Sequence, residues 1–339
     1  MPEGSQRVGA LVHVPDVLRG LGVEPGEVLD ACGLAPDAIA DPEGQIPFTM
    51  ASRLVHVAAG RSGCPHFGLL VGQRNASESL GLVGLLMRNA PTWGRAILDL
   101  AENQRRYVRG AVPYVMEREG VAWSGYCVYQ RNAEGAEHME DGAIAIGFNL
   151  MRELCGARPS EVWLARRAPA DPRPYHAFFG VRVRFDSSHS ALVFPSEVLR
   201  HKVRTADPAL RAALEERVRT YWAVDTPKMS DRVVRLLRSR ILFHDVQVQT
   251  IADALSIHPR FLERALKEEG TTYRDLLLQS RVEVAQRLLT GTRLSVTEIG
   301  TALGYSDTSA FSNAFRRVAG VPPSAWRARI PAERSAQAG

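Results

Sequence analysis

The sequence predicts two unlike parts. The N-terminal part is α+β, a helical front followed by a small antiparallel sheet. The C-terminal part is all-α, two pairs of short helices joined by one long helix. Three observations carry this prediction. A helical pattern at Val296, Ile299, Gly300 and Leu303 recurs 48 positions earlier at Val248, Ile251, Ala252 and Leu255. Alternation with a period of two appears only after Gly110, in Val112–Arg118 and Val121–Tyr129. Charge is uneven: Lys228–Pro331 holds 16 Lys+Arg and 10 Asp+Glu, whereas the rest of the chain holds 26 and 27.

From the N-terminus, residues 1–7 read as a disordered start. Leu11, Val14, Val17, Leu18 and Leu21 make one helix face, and Val23–Leu34 a second short helix ended by Gly33. A polar stretch, Asp41–Pro47, precedes a helix over Thr49–Ala59. Pro65–Val71, Gly81–Asn89 and Thr92–Tyr107 continue the helical front. The two alternating runs turn at Glu119–Gly120. Glu137–Cys155 returns to helix, and Glu161–Arg166 reads as a strand. Pro174–Phe179 is a short helix, and Val181–Phe185 and Ala191–Phe194 form a strand pair through Asp186–Ser187–Ser188. Pro208–Tyr221 is a helix, and Ala223–Met229, with Pro227, an interdomain linker. The expected divisions are 1–205, a helix and linker at 206–229, a helical domain at 230–330, and a disordered tail at 331–339.

In the C-terminal part, Ser230 is expected to cap the first helix, with Val233, Val234, Leu236 and Leu237 inside. In the second pair, Ser295 and Glu298 make a capping box, Gly304 supplies the turn, and Ser306 or Asp307 caps the next helix. Its buried face is Phe311, Ala314, Phe315 and Val318, with Gly320 closing it. Outward lie Thr308, Ser309, Ser312, Asn313, Arg316 and Arg317. In the first pair, Pro259 at the first helical position makes His258 the cap. Leu262, Ala265 and Leu266 face inward, and Arg260, Glu263, Arg264 and Lys267 outward. Thr272 and Asp275 suggest another capping box, opening a helix to about Leu289. Short helix, turn, short helix is the layout whose second helix enters the DNA major groove. Asn313 suits adenine, Arg260 and Arg264 suit guanine, and Arg316 and Arg317 suit phosphate. The local net charge of +6 agrees with a nucleic-acid face.

This arrangement resembles the DNA-binding domain of the AraC/XylS family of bacterial transcription regulators. The carrying residues are Ile251-Ala252-x-x-Leu255, Leu262-Glu263-Arg264-x-Leu266, Ile299-Gly300-x-x-Leu303-Gly304-Tyr305-Ser306, Ser309-Ala310-Phe311, Phe315-Arg316-Arg317 and Gly320-Val321-Pro322-Pro323-Ser324. Three departures lie in the first pair. Ser256 replaces the usual turn glycine, His258 the usual serine cap, and Glu263 the common glutamine. The stretches Ala170-Asp171-Pro172-x-Pro174-Tyr175, Phe178-Phe179-Gly180-Val181-x-Val183-x-Phe185, Leu192-Val193-Phe194 and Ala206-Asp207-Pro208-Ala209-Leu210 resemble the arabinose-binding-like N-terminal domain of one branch. The resemblance implies an effector-binding or dimerising N-terminal domain, a homodimer, double-stranded promoter DNA and RNA polymerase as partners, and transcription activation. The alternative is an effector-independent architectural or oligomerising DNA-binding protein.

No nucleophile elbow, zinc-binding helix motif or phosphate loop occurs, so no enzyme, cofactor or metal is expected. Cys32, Cys64, Cys127 and Cys155 form no C-x-x-C pair and read as reduced thiols of a cytoplasmic protein. No signal segment or membrane-length apolar run is evident. Effector-binding residues are unknown from sequence. Trp93, Trp123, Trp163, Tyr107, Tyr114, His56, His66 and His138 are candidates for a pocket, each more often core or surface. Tyr305, Phe311, Phe315 and Trp326 read as core of the helical domain.

Overall fold

A computed structural model describes residues 3–104, 107–223 and 228–329. The chain divides into two compact units, Met1–Tyr221 and Trp222–Gly339. The expected tail at 331–339 lies outside the described residues, as do 224–227 of the expected linker.

The first unit begins with β1 (Ser5–Arg7), α1 (Val14–Gly20), α2 (Pro25–Ala31), β2 (Gln45–Pro47), α3 (Phe48–Ser62) and α4 (Phe67–Gln73). Then come α5 (Gly81–Arg88), α6 (Trp93–Asn103), β3 (Val108–Arg109), β4 (Ala111–Arg118), β5 (Val121–Val128) and α7 (Ala136–Cys155). It closes with β6 (Glu161–Trp163), α8 (Arg173–Phe179), β7 (Arg182–Arg184), β8 (Ser190–Pro195) and α9 (Pro208–Ala223).

The expected disordered start is instead the middle strand of a three-stranded sheet ordered β2-β1-β3. Arg7 explains the order: its guanidinium is held by Glu43 at 2.6 and 3.1 Å and donates to the Ser79 carbonyl at 2.6 Å. The expected Val181–Phe185/Ala191–Phe194 strand pair is also corrected. In the larger sheet, ordered β4-β5-β8-β6-β7, β6 lies between them. β7 runs parallel to β6, so the sheet is mixed rather than antiparallel. The short β6 and β7 carry no local signal of direction; a chain leaving β6 through α8 returns in the same sense. The β4–β5 hairpin is as expected, with Glu119 and Gly120 at positive φ in its turn.

Helices α4 and α7 touch at glycines. A Cβ on Gly68 would meet the His138 carbonyl oxygen at 2.1 Å, and one on Gly72 the Gly142 oxygen at 2.4 Å. That approach lays one face of α7 over the sheet. Two acids are buried with matched partners. Asp99 binds Arg95 and Arg211, and Asp141 binds Arg166 and the Tyr175 hydroxyl.

The second unit comprises α10 (Met229–Arg240), α11 (Val248–Ala254), α12 (Pro259–Glu268), α13 (Tyr273–Gly291), α14 (Val296–Ala302), α15 (Thr308–Ala319) and α16 (Pro323–Ala328). Its core is leucine and isoleucine at helical spacing, including Ile251, Leu262, Leu266, Leu276, Leu288, Ile299 and Leu303. A ring series follows: Tyr305–Phe311 at 5.4 Å, Phe311–Phe315 at 5.9 Å and Phe315–Trp326 at 6.0 Å. Ser230 does not cap α10. Lys228 holds the cap position, and the Glu269 carboxylate accepts from the Met229 and Ser230 amides at 2.7 and 2.9 Å.

Candidate functional site

The two short-helix pairs share one turn geometry. After α14, Gly304 N donates to Thr301 O at 2.9 Å and Tyr305 N to Gly300 O at 3.0 Å. After α11, Ser256 N donates to Asp253 O at 2.9 Å and Ile257 N to Ala252 O at 3.0 Å. The second bond in each pair spans five residues backward, which closes a helix end through a left-handed residue. That residue is Gly304 at φ 79° in one pair and Ser256 at φ 55° in the other. The serine therefore keeps the turn and bears its conformational cost. Gly300 supplies a second need for glycine, since its Cβ would stand 3.2 Å from Phe311.

Capping then sets the start of α12 and α15. His258 Nδ1 accepts from Arg260 N at 3.2 Å, and Asp307 Oδ1 from Ala310 N at 2.7 Å. The Ala310 amide and the Ser306 hydroxyl hold the Asp307 carboxyl below the usual carboxylate range. The Ser295–Glu298 capping box is complete, at 3.1 and 2.7 Å. The Thr272–Asp275 box is half of one: Thr272 Oγ1 accepts from Asp275 N, while the Asp275 carboxylate takes the Thr272 hydroxyl instead.

On α12, Arg260, Glu263, Arg264 and Lys267 are all exposed, as expected. So is Phe261, at 45 %. The Arg264 guanidinium lies 5.4 Å from the Phe261 ring centre and 3.9 Å from Glu268. Sequence reasoning passed over Phe261; its signal was a bulky apolar residue off the Leu262–Leu266 stripe. On α15, Ser309, Asn313, Arg316 and Arg317 are exposed. Thr308 and Ser312 are half-buried, and Thr308 hydrogen-bonds the Thr297 hydroxyl at 3.0 Å. Arg316 Nη2 donates to Asn313 Oδ1 at 3.3 Å, so those two side chains form one unit. Val318, expected inside, is 41 % exposed, because Phe311 and Phe315 already fill the groove facing α13 and α14. No acid lies within Thr308–Ala319, whereas α12 intersperses Glu263 and Glu268 with its bases.

The first unit holds a cavity of about 150 Å³. One wall is the sheet face carrying Pro113, Ser124, Tyr126 and Leu192, which sit opposite one another in register. The facing wall is a stripe of α7 that includes Met139, Ala143, Ile146 and Gly147. Of the pocket candidates named from sequence, Tyr107 and His138 line it. Trp93 and Tyr114 are buried core, and Trp123 and Trp163 pack together with His189. His66 stacks edge-on to Tyr175, and His56 is exposed. Gln6, Ser124 and Tyr126 were missed; Gly68-x-x-x-Gly72 was the legible trace of the close helix contact beside them.

Among the described residues, no His, Cys, Asp or Glu group is arranged to hold a metal, and no helix is long and apolar enough to cross a membrane. All four cysteines are free; burial pushes the Cys32, Cys64 and Cys155 thiols up, away from the reactive thiolate.

The family described as the arabinose-binding domain of AraC transcription regulator, N-terminal, matches residues 22–203, and a helix-turn-helix domain matches 251–329. The chain is 30 % identical over 322 residues to the ornithine utilization regulator of Pseudomonas aeruginosa, covering 92 % of this chain and 93 % of that one. It is 26 % identical to the transcriptional regulator VirS of Mycobacterium tuberculosis, covering 92 % and 93 %. The crystal structure of the transcriptional regulator CdpR from P. aeruginosa aligns with 90 % of this chain and 96 % of its own, at 22 % identity and a TM-score of 0.47. These relatives are DNA-binding transcription regulators rather than enzymes. The chain belongs to the AraC family of transcription regulators, with an arabinose-binding-type domain ahead of its helix-turn-helix domain.

Proposed function

We propose that this protein is an effector-responsive transcription activator that reads promoter DNA through both short-helix pairs. The observation that carries this reading is the shared turn: helix pairs α11–α12 and α14–α15 use the same two backbone hydrogen bonds 48 positions apart. Each presents a capped second helix with exposed polar and basic side chains, the form that enters a major groove. α13, a helix of 19 residues and about 28 Å by its rise, joins them and fixes their spacing. α15 is the stronger phosphate seat, since Arg316 and Arg317 face no acid on their own helix. In α12, Glu263 favours a cytosine amino group and disfavours phosphate. Base reading falls to Arg260, Arg264, Ser312 and Asn313; Lys267, Thr308, Ser309, Arg316 and Arg317 hold the backbone.

The cavity of the first unit supports an effector site rather than a purely architectural role. Its occupant would shift the population of DNA-binding arrangements. The protein acts in the cytoplasm as a homodimer and contacts RNA polymerase. The name of the P. aeruginosa relative makes ornithine one effector to test. The deciding experiment is selection of bound duplexes from a random pool at near-physiological salt. Two enriched patches about one helical turn apart are expected. One patch would reduce the first helix pair to phosphate contact, and no enrichment with or without the cavity's ligand would overturn the reading.

A further inference from the structure

The lining of the cavity defines a class of ligand, an inference that rests on the effector reading above. The wall is apolar for most of its extent. Arg7 is the one charged residue among its described members, and Glu43 already neutralises it at 2.6 Å. No described carboxylate lines the space. His138 is buried at 6 % exposure, and burial lowers its imidazole, which therefore stays neutral near pH 7. Burial likewise pushes the Tyr126 hydroxyl up, so it remains a neutral donor. An ion brought here finds no free counter-charge, and an unpaired ion is strongly disfavoured away from water.

Two polar atoms in the same wall are unsatisfied. Gln6 is 6 % exposed; its Nε2 donates to the Arg7 carbonyl at 3.0 Å, which fixes the amide orientation and leaves Oε1 with no partner. His138 Nδ1 is also buried without a partner. A buried acceptor left unmade is an expense that native structures rarely carry without a function.

We infer that the cavity takes a neutral, largely apolar molecule that carries an N–H or O–H donor beside an acceptor, of which a carboxamide is the simplest form. Its donor satisfies Gln6 Oε1, its carbonyl takes the Tyr126 hydroxyl, and its apolar body fills the space between Ile146 and Leu192. A cavity of this volume accommodates a body of about six to ten non-hydrogen atoms. Ornithine, with two ammonium groups and a carboxylate, is the wrong chemistry for this wall.

The test is titration calorimetry of the full-length protein with four probes of about eight or nine non-hydrogen atoms: hexanamide, 2-heptanone, hexanoate and ornithine. Hexanamide is expected to bind at one site, 2-heptanone about tenfold more weakly, and the two charged probes at least a hundredfold more weakly. Gln6→Leu is expected to erase the advantage of hexanamide over 2-heptanone while leaving 2-heptanone within about twofold. Ala143→Phe, which fills the cavity, is expected to abolish binding of both with the thermal transition retained; if it does not fold, Ile146→Trp serves in its place. Tighter binding of ornithine or hexanoate, or hexanamide binding indifferent to Gln6→Leu, would overturn the ligand class and leave the effector reading standing. The effector reading has its own readout, promoter occupancy in the producing cell: a folded Ala143→Phe protein that occupies and regulates promoters as the wild type does would overturn both.

Discussion

Ser256 gives the most direct measure of how the repeat works. It occupies the left-handed position that Gly304 holds in the second copy, at φ 55° against 79°. A left-handed residue with a side chain costs about 1–2 kcal/mol. Replacing it by glycine removes that cost but raises the entropy of the unfolded chain, which takes back about 0.4–1 kcal/mol. Ser256→Gly is therefore expected to stabilise the second unit by about 0.5–1 kcal/mol. Gly304→Ser is expected to destabilise it by a similar amount, for purely conformational reasons. A Cβ on Gly304 would meet only the Arg281 guanidinium at 3.4 Å and the His244 ring at 3.5 Å, ordinary contact distances. Differential scanning calorimetry of the full-length variants reads both, as opposite shifts of about 2–6 °C in the transition of this unit. Shifts of the same sign, or a Ser256→Gly protein that melts lower, would refute the claim that the turns are equivalent and that serine is strained in one of them.

Three further outcomes are expected. Asn313→Ala and Arg264→Ala should each weaken binding to the selected duplex by about 1–3 kcal/mol while sparing random duplex; equal losses on both duplexes would reassign them to phosphate, with Arg316, released from Asn313, the first residue to re-examine. Arg316→Ala and Arg317→Ala should weaken all sequences alike and each flatten the slope of log affinity against log salt by about 0.9; an unchanged slope would remove them from the interface. The depressed Asp307 carboxyl stabilises α15 fully above the unfolded carboxylate value of about 3.9, and that contribution is lost as pH falls through its lower folded value. Acid unfolding of Asp307→Asn should accordingly lack this component, and a wild-type and variant difference that persists unchanged down to pH 2 would contradict it.

The second unit was largely legible in the sequence because its signals are local. Helix period, glycine and proline positions, and Ser–x–x–Glu spacing are all read within a turn or two of chain. The exceptions are instructive. Val318 continues the stripe of Phe311 and Phe315 yet points to solvent, because two aromatic rings fill the available groove before it is reached. Ser230 looked like a cap, but a carboxylate 39 residues away took its amide. In the first unit, partners are distant in sequence. Nothing near Gln6 announces that it pairs with Val108 and Ile46, and nothing in Arg182–Arg184 tells which neighbour it chooses. The cavity was illegible for the same reason: its walls come from β1, the sheet face and α7, each of which reads alone as ordinary core.

The carboxylate of Glu269 has a mechanical consequence. It sits one residue beyond α12 and grips the two backbone amides at the very start of α10. Those amides belong to the first turn of α10, the opening helix of the second unit. A displacement of the start of α10 is therefore shared with the C-terminal end of α12. Two helices that are far apart in sequence are thus pinned end to end inside the second unit, while α15 is held separately through the rings of Phe311, Phe315 and Trp326.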